Sequence, residues 1–201
     1  MKIGEKEFDF AHHTYVMGIL NVTPDSFSDG GKFEKMDAAL KHVEEMISDG
    51  AALIDIGGES TRPGFESISA REEMERVGKV IEEVKKRFDI PVSVDTYKAP
   101  VMDEAFRAGA DFANDIWGLR YDSLFSEEGR KSVWETGTMA EVVAKHRKPV
   151  CIMHNRKEPV KEEFLREVFA DFHESLEIAK KAGIKKEQII LDPGIGFGKT
   201  Y

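Results

Sequence analysis

The chain has 201 residues, 41% of them hydrophobic and 33% charged, with a formal net charge of −9. That length suits one domain, residues 1–201, with a sizeable core. The acidic balance argues against a nucleic-acid or membrane-surface binder, since both use a basic face; an anionic ligand would have to be met locally, by a metal, backbone N–H groups or a few basic side chains.

The N-terminus, Met1-Lys2-Ile3-Gly4-Glu5, lacks the apolar stretch of a signal peptide, and residues 3–13 read as a small hairpin. A first strand, Tyr15–Leu20, ends at Asn21. A helix over 37–49 follows, with Leu40, Val43, Met46 and Ile47 on one face and Gly50 as its C-terminal cap. The second strand is Ala52–Ile56. The helix over 70–87 opens on the capping pair Ser69 and Glu72 and carries the apolar stripe Met74, Val77, Val80, Ile81 and Val84. A third strand, Pro91–Val94, ends at Asp95, and a short helix over 99–108 ends at Gly109. The fourth strand runs from Asp111 to Ile116. Residues 122–136 lack periodicity and read as a charged surface excursion with a short helical turn. A helix over 139–147 begins on Thr138 and Glu141, another capping pair. The fifth strand, Pro149–Met153, ends at His154. A helix over 161–182 stops at Gly183, and the sixth strand, Gln188–Leu191, ends at Asp192. No run of eighteen apolar residues reads as a membrane span. The lone cysteine, Cys151, excludes an internal disulfide framework and suits the cytoplasm.

Near-continuous apolar strands alternating with amphipathic helices imply a parallel sheet covered on both faces, an α/β fold. Polar residues end nearly every strand rather than clustering at one switch point. A closed ring converges all such ends on one pocket, whereas an open sheet spreads them along a crevice. The expected fold is therefore a (β/α)8 TIM barrel of which this chain holds the first six β/α units, leaving the first and sixth strands with unpaired edges.

Candidate chemistry lies in the loops after the strands. Asn21 to Gly31 is long for a plain connector. Within it Asn21 offers a carbonyl oxygen to a hard cation, and Phe27 is placed to cover a flat ligand. Gly57 to Gly64 brings the Thr61 hydroxyl and the Arg62 guanidinium, which can hold a phosphate or carboxylate at two points. Asp95, Asn114 and Asp192 end three strands. Each alone reads as a cap or turn residue; together at one barrel mouth they suit a heterocycle whose amino-pyrimidinone edge supplies paired N–H groups. His154 reads either as an acid/base group or, more commonly for a lone loop histidine, as structural. Cys151 reads as core. The tail Asp192–Thr200 is not a phosphate-binding P-loop, because Pro193 stands where that motif needs glycine.

Taken together, Gly18–Phe27, Gly57–Gly64, Ser93–Thr96, Asn114–Ile116, Met153-His154 and Leu191–Phe197 resemble the dihydropteroate synthase family, each match falling at a strand end. The resemblance implies the eightfold barrel and a step of folate synthesis: condensation of a dihydropterin-methyl diphosphate with p-aminobenzoate, releasing diphosphate. It implies that Asp95, Asn114 and Asp192 hold the pterin with Met153 packed beside it, and that Asn21 contacts Mg²⁺ and diphosphate. Thr61 would touch the diphosphate substrate. Arg62 and Pro63 would belong to the second loop, Phe27 and Asp29 to the first. The implied chemistry is dissociative: diphosphate leaves with the help of Mg²⁺, Asp95 and Asp29 stabilise the pterin-methyl cation, and the arylamine attacks. Family members are commonly homodimers.

Two departures stand beside these matches. The family carries a Lys-Ser pair and an Arg-x-His triplet on seventh and eighth strands that this chain does not include. Residues 122–137 are also longer than the usual connection. Two rival readings remain. One is a pterin-dependent corrinoid methyltransferase, which shares the barrel but fits the first two loops less well. The other is a non-catalytic pterin-binding fragment.

Overall fold

A computed structural model describes residues 1–22, 32–59, 67–126, 134–159 and 163–199. The chain opens on an antiparallel hairpin, β1 (Lys2–Ile3) and β2 (Lys6–Glu7), turned by Gly4 at φ 59°. Six parallel strands follow: β3 (Val16–Asn21), β4 (Ala51–Gly57), β5 (Val92–Asp95), β6 (Phe112–Asp115), β7 (Val150–Met153) and β8 (Ile189–Asp192). They hydrogen-bond in strictly sequential order, β3-β4-β5-β6-β7-β8. Sequential order without reversal is the winding of a β/α barrel; a doubly wound sheet reverses at its switch point. Among the described residues β3 and β8 each pair on one side only, as expected for six units of an eightfold ring.

The connecting helices are α1 (Lys32–Ser48), α2 (Ala70–Arg87), α3 (Ala99–Ala108), α4 (Tyr121–Phe125), α5 (Met139–His146) and α6 (Phe164–Ala182). Their ends follow the sequence signals closely. Gly50, Gly109 and Gly183 sit at φ 101°, 111° and 90°, the left-handed region that glycine enters without Cβ strain. At α5 both halves of the capping box form: Thr138 Oγ1 accepts from Glu141 N at 3.3 Å, and Glu141 Oε2 accepts from Thr138 N at 2.7 Å. At α2 only half forms. Ser69 Oγ accepts from Glu72 N at 3.2 Å, but the Glu72 side chain turns away to pair with Arg76 one turn on. Helix α1 begins five residues before the expected start.

The segment after β6 forms the expected short helical turn but is not the surface excursion that its charges suggested. Part of it is helix α4, and Asp122 is turned into the protein, only 4% exposed, where it accepts from Met139 N at 3.4 Å. Tyr121 stacks on Phe125 with centroids 4.5 Å apart, and Trp134 packs on the main core. The charges of this segment obscured its aromatic anchors.

Alternation along the strands sorts the core into two. Ile54, Ile56, Val92, Val94, Ala113, Val150 and Ile152 face outward and pack with Val43, Val77, Val80, Ile81, Met102 and Val143 of the helices. The opposite face contributes Leu53 and Phe112, which form a second cluster with Ile3 and Phe8 from the N-terminal segment, flanked by Cys151 and Ile190. The hairpin therefore packs against the N-terminal end of the interior, opposite the strand ends that carry the polar residues.

The α5 cap provides a test. Thr138→Ala removes the hydroxyl that satisfies a first-turn N–H and should lower stability by about 1 kcal/mol in urea unfolding, with an unchanged m-value.

Candidate active site

Residues paired across parallel strands point to the same side, so the register identifies what lines the interior. Asn21 pairs with Gly57, Gly57 with Asp95, Asp95 with Asn114 and Asn114 with Cys151; Met153 pairs with Asp192. These residues share the face of Leu53 and Phe112 and lie above that apolar plug. Asp95, Asn114 and Asp192 are half-buried, Met153 is buried and Asn21 is exposed. Five of the residues singled out from the sequence thus meet around one cavity mouth. Thr61, Arg62, Pro63, Phe27 and Asp29 lie outside the described residues.

Gly57 keeps the space between two oxygens open. A Cβ there would lie 3.6 Å from Asn21 Oδ1 and 3.8 Å from Asp95 Oδ2. Asp192 is held by its own turn, Oδ1 accepting from Gly194 N at 2.8 Å. Gly194 is indispensable to that turn: at φ 62°, a Cβ would come within 2.2 Å of the His154 carbonyl oxygen. Lys199 completes the turn by donating Nζ to the carbonyls of His154, Gly194 and Phe197 at 3.2, 2.7 and 2.7 Å.

One interior residue was not singled out from the sequence. Asp55, one step down β4 and level with Ser93, is only 4% exposed, and its Oδ2 accepts from Asn114 Nδ2 at 3.0 Å. Burial pushes its carboxyl above the ordinary range despite the Ser93 hydroxyl and Asn114 amide beside it. The available signal was a lone carboxylate inside the apolar run Ala-Leu-Ile-Asp-Ile. Cys151 lies on the same face. Burial first, then the charges of Asp192 and Asp55, push its thiol up to about 12.

Two buried ionic groups hold the rim. Lys98, just beyond β5, donates to Glu59 Oε2 at 2.6 Å, Glu73 Oε2 at 2.7 Å and the Ile68 carbonyl at 2.8 Å. Glu59 Oε2 also accepts from Ile68 N at 2.8 Å, and Tyr97 OH donates to Glu59 Oε1 at 2.9 Å. One ammonium thus ties residue 59 to residue 68 and both to α2. Burial would raise the Glu59 carboxyl, but Lys98, the Ile68 N–H and the Tyr97 hydroxyl together hold it below its usual range; at Glu73 burial wins. The second group surrounds Asp171 on α6. Arg120 Nη1 approaches Asp171 Oδ1 at 3.0 Å, Arg156 pairs with the same carboxylate, and His154 Nε2 lies 2.9 Å from Oδ2. The buried His154 therefore braces the loop after β7 against α6, and of its two sequence readings the structural one fits. Burial lowers its pKa first, with Lys199 adding to the effect.

Asp115, beside Asn114 but facing outward, shapes the next turn by accepting from Trp117 N at 2.9 Å and Leu119 N at 2.7 Å. Complete burial pushes its carboxyl up to about 6 even so.

A cation at Asn21 is compatible with this donor set in a limited way. Among the described residues no group of three or more His, Cys, Asp or Glu side chains forms a cage. Asn21 Oδ1 and Asp95 Oδ2 reach the same open space. Mg²⁺ commonly accepts few protein oxygens and completes its shell with water and substrate phosphate, so the residues present fit it on those terms.

The described interior thus carries carboxylate, amide and thioether side chains above an apolar plug, at the C-terminal ends of the parallel strands. Residues 17–201 match the family model described as pterin binding enzyme. The chain is 54% identical over its whole length to dihydropteroate synthase of Clostridium beijerinckii, covering 70% of that protein. It is 53% identical to that of Bacillus subtilis over 96% of this chain and 62% of the relative. A dihydropteroate synthase from Clostridium difficile, crystallised in the presence of pteroic acid, superposes with a TM-score of 0.84 at 46% identity, over 96% of this chain and 69% of that one. The chain belongs to the pterin-binding enzyme family, and it spans about two thirds of the length of these relatives.

Two measurements probe the site's electrostatics. Asp115 has a folded pKa of about 6 against an ordinary 3.8, so the folded state binds more protons between those values and stability falls as pH rises through them. Asp115→Asn cannot titrate. Relative to wild type it should gain up to about 3 kcal/mol between pH 4 and pH 7 in denaturant unfolding, and parallel profiles would contradict the assignment. Cys151 should resist iodoacetamide at pH 7.5 in the folded protein and react at the rate of a free thiol once unfolded, read by mass spectrometry.

Proposed function

We propose that this chain carries the pterin half of a dihydropteroate synthase site. The reaction is condensation of a 6-hydroxymethyl-7,8-dihydropterin diphosphate with p-aminobenzoate to give 7,8-dihydropteroate and diphosphate. The observation that carries the reading is the strand register that aligns Asp95, Asn114, Met153 and Asp192 on one interior face. A pterin's pyrimidinone edge offers an amino group and a ring N–H, the donors that carboxylate oxygens require. Asp192, its backbone set by the turn through Gly194, accepts that pair. Asn114 reads the neighbouring ring atoms as donor and acceptor together. Met153 packs its polarisable thioether on the ring. The relatives support the ligand class: one was crystallised with pteroic acid, and a Xanthomonas albilineans synthase, 40% identical with TM-score 0.77, with 4-aminobenzoic acid.

In the proposed reaction the carbon–oxygen bond to diphosphate breaks first, leaving positive charge spread over the pterin methyl group and ring. Asp95 would lie beside that charge and stabilise it electrostatically. Asp29 is proposed to do the same from the first loop. Asn21 would hold Mg²⁺, whose chemistry when bound is to neutralise the leaving diphosphate. Thr61, Arg62, Pro63 and Phe27 are proposed contacts of the diphosphate and aryl groups. The arylamine nitrogen attacks the methyl carbon and afterwards sheds its proton.

The domain is proposed to be a single barrel, acting in the cytoplasm as a homodimer. Exposed Phe164, Leu165 and Phe169 on α6 give an apolar strip that a neighbouring helix or subunit would cover.

Calorimetric titration with 6-hydroxymethylpterin, run beside a diphosphate-release assay with both substrates, tests the reading. Binding with turnover supports a synthase, binding alone a pterin-binding fragment, and absence of binding overturns both. Asp95→Asn is expected to cut turnover on the order of 10²-fold while leaving the unfolding midpoint near wild type. A loss of stability that accounts for the loss of activity would place Asp95 among structural residues instead.

A further inference from the structure

We propose that Asp55 is a positioning residue that fixes which way round Asn114 presents its carboxamide to the bound ring. The inference rests on the pterin reading of the site and goes beyond it to the residue that makes Asn114 selective.

An asparagine side chain is nearly symmetric in shape but opposite in chemistry at its two ends. In a cavity it can present either its oxygen or its NH₂ group to a given ring atom, and only a fixed neighbour decides between them. Here that neighbour is Asp55. Its Oδ2 lies 3.0 Å from Asn114 Nδ2, across β5, in a layer below the cavity mouth. An ionised carboxylate accepts and cannot donate, so with Asp55 in that form the amide turns its nitrogen toward it, as the contact shows. Asn114 Oδ1 and the second N–H are thereby committed elsewhere, and β6 directs that side chain into the interior. The orientation itself is rigid. Asp55 sits in β4 with 4% exposure, between the apolar plug around Leu53 and the open layer of Asp95 and Asn114. No ammonium or guanidinium is paired with it among the described residues, in contrast to Glu59, Glu73, Asp103, Asp111 and Asp171. A carboxylate buried without a cation is costly as a structural element, because an apolar residue would fill the space more favourably. Its position under Asn114 supplies a use that offsets that cost.

The consequence is discrimination. A ring edge that needs one acceptor and one donor in a set order is bound; an edge with the order reversed meets donor against donor. Asp55 does not touch the ring in this arrangement and acts through Asn114 alone.

A double-mutant cycle tests this directly. Asp55→Asn keeps the shape but lets residue 55 both donate and accept, so Asn114 loses its fixed direction. The affinity for 6-hydroxymethylpterin, measured by calorimetry, should fall about tenfold, the effect of one misdirected hydrogen bond. In an Asn114→Ala background the same substitution should cost nothing further. Equal losses in both backgrounds, or no loss in either, overturn the proposal. Should Asn114→Ala abolish measurable binding, a second reading needs no ligand. With ¹⁵N-labelled asparagine, the side-chain NH₂ signal missing from Asn114→Ala identifies Asn114. One of its protons should exchange with solvent at least tenfold more slowly in wild type than in Asp55→Asn, and equal rates sink the idea. Wild-type protein that binds no pterin yet shows the slow proton would instead fault the functional reading and leave the Asp55–Asn114 contact standing.

Discussion

A strand in a helix-wrapped ring is buried on both faces, but the two faces meet different surroundings, and the period of two along each strand keeps them apart. Val92 and Val94 pack into the helices; Ser93 and Asp95, one residue offset, face the interior. A slip of one residue would exchange a valine for an aspartate on both sides at once, which is why the register is so firmly specified. The same alternation puts Leu53, Asp55 and Gly57 at successive depths of one interior wall. Packing Ile3 and Phe8 against Leu53 and Phe112 makes the deep end of the described interior apolar, so the polar side chains of that face lie toward the shallow end. Site position is thus a consequence of core formation rather than an addition to it.

Buried charges fall into two populations. Those outside the interior face are neutralised in place: Lys98 between Glu59 and Glu73, Arg120 and Arg156 around Asp171, and, at the opposite end of the strands, Lys85 and Lys148 on Asp111. Two that face the cavity are held by neutral donors among the described residues: Asp55 by the Asn114 amide and Asp192 by the Gly194 N–H. An ion pair fixes a loop whether or not a ligand is present. An acceptor held by neutral donors keeps capacity for further donors, and so favours a ring rich in N–H groups or one that becomes positive during reaction.

Much of this was legible in the sequence because the signals were local. The helix stops at Gly50, Gly109 and Gly183, the Thr138 cap and the polar strand ends at Asn21, Asp95, Asn114 and Asp192 each follow from a few adjacent residues and one backbone rule. What escaped depends on partners distant along the chain. Glu72 formed half a capping box because Arg76 competed for it. Asp122 read as a surface charge because the Met139 N–H that it meets is 17 residues away. Asp55 and Asn114 are 59 residues apart, so their contact exists only once β5 lies between them. Lys98 likewise gave no sign of joining residues 59, 68 and 73, which lie 25 to 39 residues away along the chain.

The cavity's sign constrains where a diphosphate can sit under the proposed reaction. Asp55, Asp95 and Asp192 line the interior, so an anion carried on the pterin's methyl group is repelled from the floor and walls. The exit of least repulsion is toward β3, whose inward residues are Met17, Ile19 and the neutral Asn21. Gly57 beside Asn21 adds no side chain to narrow that route. The ring is then drawn inward by the acceptors that push its leaving group outward. The same field that orients the substrate favours separation of the bond between its two halves, because it stabilises the cationic fragment and destabilises the anionic one at depth. Binding and bond cleavage therefore depend on one arrangement of carboxylates, and a substitution that neutralises one of them should weaken both together.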